Sequence, residues 1–217
     1  MDRHDGCVEL IRTLPAFLVA CALLSALPGP AIAVLLRRSA IGGRQEGIAV
    51  VAGLEVGLYA WVLAAGAGLA ALVAASHVAA TVERIPGAVV LLYLGIQALR
   101  AAARKDEAVP DAGPGAGRGF RAAFAAGLMT NLANPKAAVF AFAFYPQFVP
   151  HGYPAFLTIA GLGLLHITQE FALYSLLATG AARAGRWFSR RIVRRTLDAT
   201  AGTVLVGLGV RVAVTQP

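Results

Sequence analysis

Charged side chains along this chain leave long apolar stretches between them. No Asp, Glu, Lys or Arg stands between Thr13 and Leu36, only Glu55 interrupts the run from Gly47 to Val82, and none falls between Ile85 and Leu99. From Ala122 to Ala182 there are Lys136 and Glu170 alone, and from Ala199 to Val210 none. About 20 apolar residues of helix cross a ~30 Å hydrocarbon layer. The pattern predicts six crossings, over about 13–36, 48–74, 80–101, 121–145, 154–179 and 196–214. Helices are the reading because alternating ten-residue strands are absent and unpaired backbone is not tolerated in lipid. The expected fold class is all-α, a polytopic membrane protein with one transmembrane domain over 1–217.

Composition agrees. Of 217 residues 58% are hydrophobic and 14% charged, with 24 glycines and a mean hydropathy of +0.70, whereas soluble domains carry roughly a quarter charged residues. Two cysteines, Cys7 and Cys21, exclude a disulfide scaffold. A cleavable signal peptide is the rival reading of the first crossing, but its leader has Asp2, Asp5 and Glu9 against Arg3 and Arg12, the wrong sign.

Basic residues sort by side. The loops after the first, third and fifth crossings hold fourteen Lys and Arg, from Arg37 to Arg195; the other side holds Arg3, Arg12, Arg84 and Arg211. Basic loops stay cytoplasmic, so both termini are expected outside. The net charge of +8 is thus explained by topology, and no basic face with base-reading elements suggests nucleic acid.

The segment 102–119, with Asp106, Glu107, Pro110, Asp111 and Pro114, is the soluble-looking linker. It separates a repeat over about 13–101 from one over about 120–214. The first crossing of each starts from the opposite side, which predicts two inverted three-helix repeats. Each repeat carries a break at a matching place: Pro28-Gly29-Pro30 in the first crossing and Asn134-Pro135 in the fourth. Proline removes a backbone donor and clashes with the preceding turn, so paired breaks point to a polar site at the repeat interface. Ordinary kinks without a ligand are the plainer alternative.

Three ionisable residues lie at membrane depth, where each uncompensated charge costs ~2.5–3.5 kcal/mol. Lys136 follows the second break, with snorkelling to the interface as its alternative. Glu55 sits between Gly53 and Gly57, a spacing that lets helices approach closely. Glu170 shares a helical face with His166 and Tyr174 at spacings of four, either as a coupling site or as a polar seam. Metal and enzyme readings are weak. The four histidines are scattered, no HExxH or CxxC occurs, no phosphate-binding glycine motif is completed, and Ser25, Ser76 and Ser175 have no base at sequence spacing. No cofactor or metal is expected.

Several motifs together give a resemblance. They are Pro28-Gly29-Pro30, Gly43 and Gly47, Gly53-Leu54-Glu55-Val56-Gly57, Pro86-Gly87, Tyr93-Leu94-Gly95-Ile96-Gln97-Ala98-Leu99-Arg100, Gly127, Asn131, Asn134-Pro135-Lys136 and Pro146-Gln147-Phe148. Over nearly its whole length the chain resembles the LysE/RhtB family of bacterial amino-acid exporters. That resemblance implies a six-helix, multi-pass secondary transporter of the inner membrane, not an enzyme. It would export amino acids or close derivatives by proton antiport with alternating access. The expected substrate-binding residues are Pro28, Gly29, Pro30, Asn131, Asn134, Pro135 and Lys136, with Glu55 and Glu170 as proton-coupling residues. Partners would be the amino acid, protons and membrane lipid, with homo-oligomerisation left open. The alternative is an exporter of metal or another cation on the same scaffold.

Overall fold

The computed structural model describes residues 3–75, 119–150, 152–181 and 190–214, with isolated positions between 92 and 103. The expected third crossing (80–101) and the linker up to residue 118 therefore lie outside the described residues, apart from those isolated positions. The elements are α1 (Arg3–Ala26), α2 (Pro30–Ala75), α3 (Phe120–Leu132), α4 (Pro135–Phe144) with a 3-10 turn (Tyr145–Phe148), α5 (Ala155–Thr179) and α6 (Arg191–Val214). No strand occurs among the described residues. Two stretches, Pro30–Ala71 and Ala155–Thr179, are long and apolar enough to cross a membrane.

α2 is two passes joined at Gly43, whose φ of 70° and ψ of −168° suit only glycine. The chain reverses there. A methyl group on Gly47 would collide with the Ser39 hydroxyl and stand 2.9 Å from Ala178 Cβ. Arg38 and Glu46 face each other across the turn in a buried ion pair at 3.5 Å. Glu46 Oε1 also accepts the N–H of Gly119 at 2.7 Å, just before α3 begins. The turn between the first two passes is thereby tied to the start of the second half.

The second pass of α2 crosses α3 at backbone contact. A Cβ on Gly53 would strike the Phe124 carbonyl, one on Gly127 the Val50 carbonyl, and one on Gly57 would lie 2.9 Å from Asn131 Cβ. Small residues permit that approach, and close approach is what favours helix association in lipid.

The core is divided by height. One apolar cluster gathers Phe17, Cys21, Val62, Phe140, Phe144, Tyr145, Ile159 and Leu162. The other gathers Ile32, Leu35, Val50, Leu54, Ala123, Tyr174 and Ala178. Following any pass from one cluster to the other, the chain goes through a polar or broken stretch. These stretches are Ser25 to Gly29 between α1 and α2, Glu55 in α2, Asn131 to Lys136 between α3 and α4, and His166 to Glu170 in α5. Four chain passes thus contribute to one polar belt between two greasy layers.

Candidate functional site

The belt is built from helix ends and one helix face. α1 closes with Leu27 N on Leu24 O at 3.2 Å, and α2 restarts at Pro30, a residue suited to the first helical position. Ala33 N is the first to close back, onto Gly29 O at 3.0 Å. The N–H groups of Ala31 and Ile32 are the usual orphan donors of a helix start. The second break differs. Asn134 is an N-cap whose Oδ1 accepts from Lys136 N at 3.0 Å, with Pro135 at the first helical position and Ala137 N closing on Asn134 O at 3.0 Å. The Asn134-Pro135 pair ends one helix and begins the next with its own donors capped, so it is a restart and not an unwound turn.

Asn131 holds this restart against α2. Its Nδ2 donates to Leu54 O at 2.7 Å, and Trp61 Nε1 donates to Asn131 O at 3.4 Å. Next to Leu54 is Glu55, 6% exposed, with neither carboxylate oxygen hydrogen-bonded among the described residues. A carboxylate desolvated without a partner is untenable as an ion. It requires either a proton or a cation.

α5 presents Ile159, Leu162, Gly163, His166, Glu170, Tyr174 and Ala178 as its buried stripe, spaced for one helical face. Tyr174 donates to Ser25 O at 3.0 Å beside the first break. His166 Nε2 lies 3.5 Å from Ser25 Oγ and 3.7 Å from Glu170 Oε2, while His166 Nδ1 lies 2.6 Å from Tyr145 Oη. Ser25 and Glu170 therefore meet the same ring nitrogen. A nucleophile triad needs its acid on the opposite nitrogen, so the group is not arranged as a hydrolase site.

Glu170 is the carboxyl group on the α5 side of the belt, with its Oε2 3.7 Å from His166 Nε2. Lys136 is half-buried at the start of α4. No hydrogen bond or ion pair among the described residues runs directly from 27–29 to 133–134. The first break touches the α5 face through Ser25, and the second is held to α2 through Asn131.

Of the residues expected from sequence, Asn131, Glu55 and Glu170 are buried in the belt, and Pro28, Gly29, Asn134 and Lys136 border it half-buried. Pro30 and Pro135 are exposed and serve as helix starters. Sequence spacing gave Ser25 no base, yet the fold sets it beside His166, 141 positions away. Tyr145 and Asp198 carried no sequence signal beyond their type. Among the described residues no group of three or more His, Cys, Asp or Glu is placed to hold a metal ion.

The family described as LysE type translocator matches residues 22–216. The homoserine/homoserine lactone efflux protein of Salmonella typhimurium is 30% identical over 198 residues, covering 91% of this chain and 94% of that one. A membrane protein of Pseudomonas aeruginosa, uncharacterized, is 33% identical over 196 residues, covering 86% of this chain and 88% of its own. The threonine efflux protein of Salmonella typhi is 24% identical over 203 residues, covering 90% and 93%. No solved structure matches.

Proposed function

The chain belongs to the LysE type translocator family, and on that premise we propose that it exports a small amino acid or close derivative across a bacterial inner membrane in exchange for protons. Relatives named for homoserine, homoserine lactone and threonine efflux support that substrate class. The observation that carries the reading is Glu55: a carboxylate 6% exposed, without a hydrogen-bond partner, beside the α3–α4 restart and within the field of Glu170.

An amino acid brings one ammonium and one carboxylate. Glu55 takes the ammonium and releases a proton, or holds the proton when the substrate has left; Glu170 shares the load. Lys136 and the open N–H groups at the start of α2 receive the substrate carboxylate, and Asn131 sets the spacing between them by fixing α3 to α2. The apolar layer around Phe17 and Phe144 closes one end, and the Arg38–Glu46–Gly119 contact closes the other. Access alternates as the two inverted halves rock and each closure opens in turn. With the basic loops inside, both termini face outward. One proton entering across ~150 mV supplies ~3.5 kcal/mol, enough for a gradient of a few hundredfold.

The test is purified protein in liposomes loaded with labelled homoserine and threonine. An external acid pulse is expected to accelerate efflux. Glu55→Gln and Glu170→Gln, made separately, are expected to lose that acceleration. Full acid-driven efflux in both variants removes the coupling, and a folded wild type that moves no amino acid removes the export.

A further inference from the structure

The exchange at Glu55 leaves a buried group with several polar partners among the described residues without a task. His166 is 3% exposed and has a partner on each ring nitrogen. Tyr145 Oη stands 2.6 Å from Nδ1, and Glu170 Oε2 stands 3.7 Å from Nε2, with Ser25 Oγ at 3.5 Å beside it. A buried imidazole has one donor and one acceptor nitrogen, and both have partners here; what sets this one apart is the identity of those partners. One placed in series between a phenol and a carboxylate has the connectivity of a proton conductor. The direction also fits. Tyr145 follows α4 at the end remote from the basic loops, and Glu170 lies one turn further along α5 from His166, within the belt.

We propose that His166 is the proton relay of this transporter, passing protons between Tyr145 and Glu170; the proposal rests on the antiport reading above. The other groups around it are consistent. From α1 come Ser25 and, acting on Tyr145 and Glu170, Cys21. On α5 itself Tyr174 interacts with Glu170. Glu55 of α2 acts on both Glu170 and Tyr145, Lys136 of α4 on Glu170, and Asp198 of α6 on Lys136. Phe17 and Phe140 close the remaining sides, with ring centroids 6.4 and 6.2 Å from the imidazole.

The transfer balances without electron movement. Tyr145 gives its proton to Nδ1 as its oxygen takes the incoming one; the imidazolium then gives the Nε2 proton to Glu170. The ring is left as the Nδ1–H tautomer. It is ready for the next transfer once Nδ1 has released that proton and Nε2 has regained one, an exchange that needs the ring to turn between its partners. The 3.7 Å second step exceeds hydrogen-bond length, so it completes only when Glu170 rotates toward the ring. Tyr145 is fully buried under the aromatic layer. In this conformation the relay is therefore blocked at its outer end, which prevents an uncoupled proton leak.

His166→Asn keeps a hydrogen-bonding group near Tyr145 and cannot carry a proton through. In liposomes with a trapped pH dye and L-homoserine as probe, two quantities are read: homoserine–homoserine exchange, which needs no net proton, and proton-coupled net efflux. Wild type is expected to show both. His166→Asn is expected to keep exchange within about twofold and to lose coupled efflux by about a hundredfold, the scale of one positioned proton-transfer group. Tyr145→Phe, which removes only the hydroxyl, is expected to fall the same way and carries the test if the histidine variant does not fold. Equal loss of exchange and coupled efflux, or coupled efflux retained, overturns the relay. Homoserine flux in wild type without proton movement overturns the antiport reading instead.

Discussion

Replacing Gly127 by alanine adds one methyl group where α3 meets the backbone of α2. The new Cβ would stand 3.0 Å from Val50 C and 3.1 Å from Leu54 N, against the 3.4 Å at which ordinary contact begins, and closer still to the Val50 oxygen. Both obstacles are main chain, so no side chain can turn aside. The helices must part by roughly 1 Å, and such overpacking costs about 1–3 kcal/mol. The same displacement stretches the Asn131–Leu54 bond from 2.7 Å beyond hydrogen-bond length, adding about 1 kcal/mol. A total of about 2–4 kcal/mol corresponds to a fall in Tm of roughly 5–10 °C. Because Asn131 sets the second restart beside Glu55, homoserine exchange should fall together with stability. The assay is thermal unfolding in detergent followed by exchange in liposomes. Gly161→Ala is the control: nothing lies within 4 Å of its added Cβ, so it should be neutral or slightly stabilising. If Gly127→Ala melts and exchanges like wild type, the crossing is looser than described and its link to the site is refuted.

Asn131→Ala leaves Leu54 O without its side-chain donor and should cost about 1–3 kcal/mol, read as a Tm loss with a larger loss of exchange. Glu46→Gln removes the charge that faces Arg38 and weakens the hold on Gly119 N–H; breaking a buried pair costs about 3 kcal/mol. It should destabilise and raise labelling of cysteines introduced into the turn at 42–44 when measured in membranes. Phe17→Ala empties the centre of the aromatic layer, where Phe17 contacts Phe144, Tyr145 and Phe148. It should cost about 3–5 kcal/mol and permit proton leak without substrate, seen as dye acidification in liposomes.

The helical passes outside 80–101, the two breaks and the acidic positions were legible because they are local facts of sequence. Proline and glycine mark breaks wherever they fall, and a carboxylate inside an apolar run stands out without any tertiary knowledge. The i, i+4 spacing of His166, Glu170 and Tyr174 placed them on one face, and that face is buried. Contacts across long separations were not legible. Ser25 meets His166 over 141 positions, Asn131 meets Leu54 over 77 and Gly119 meets Glu46 over 73; none of these pairs shares a periodicity that would announce it. Tyr145 read as one aromatic among several, although its hydroxyl reaches the imidazole. The kind of the second break was also in the sequence: Asn before Pro is an N-cap followed by a first helical residue, which restarts a helix with its donors satisfied.

Exchange of a proton for an ammonium group at Glu55 is tested most directly by infrared difference spectroscopy of the protein in lipid on addition of L-homoserine. The expected result is loss of a carboxylic-acid C=O band and gain of a carboxylate band in wild type, with the signal abolished by Glu55→Gln. Homoserine binding that leaves the carboxylic-acid band untouched, or a signal that survives in Glu55→Gln, would contradict the account.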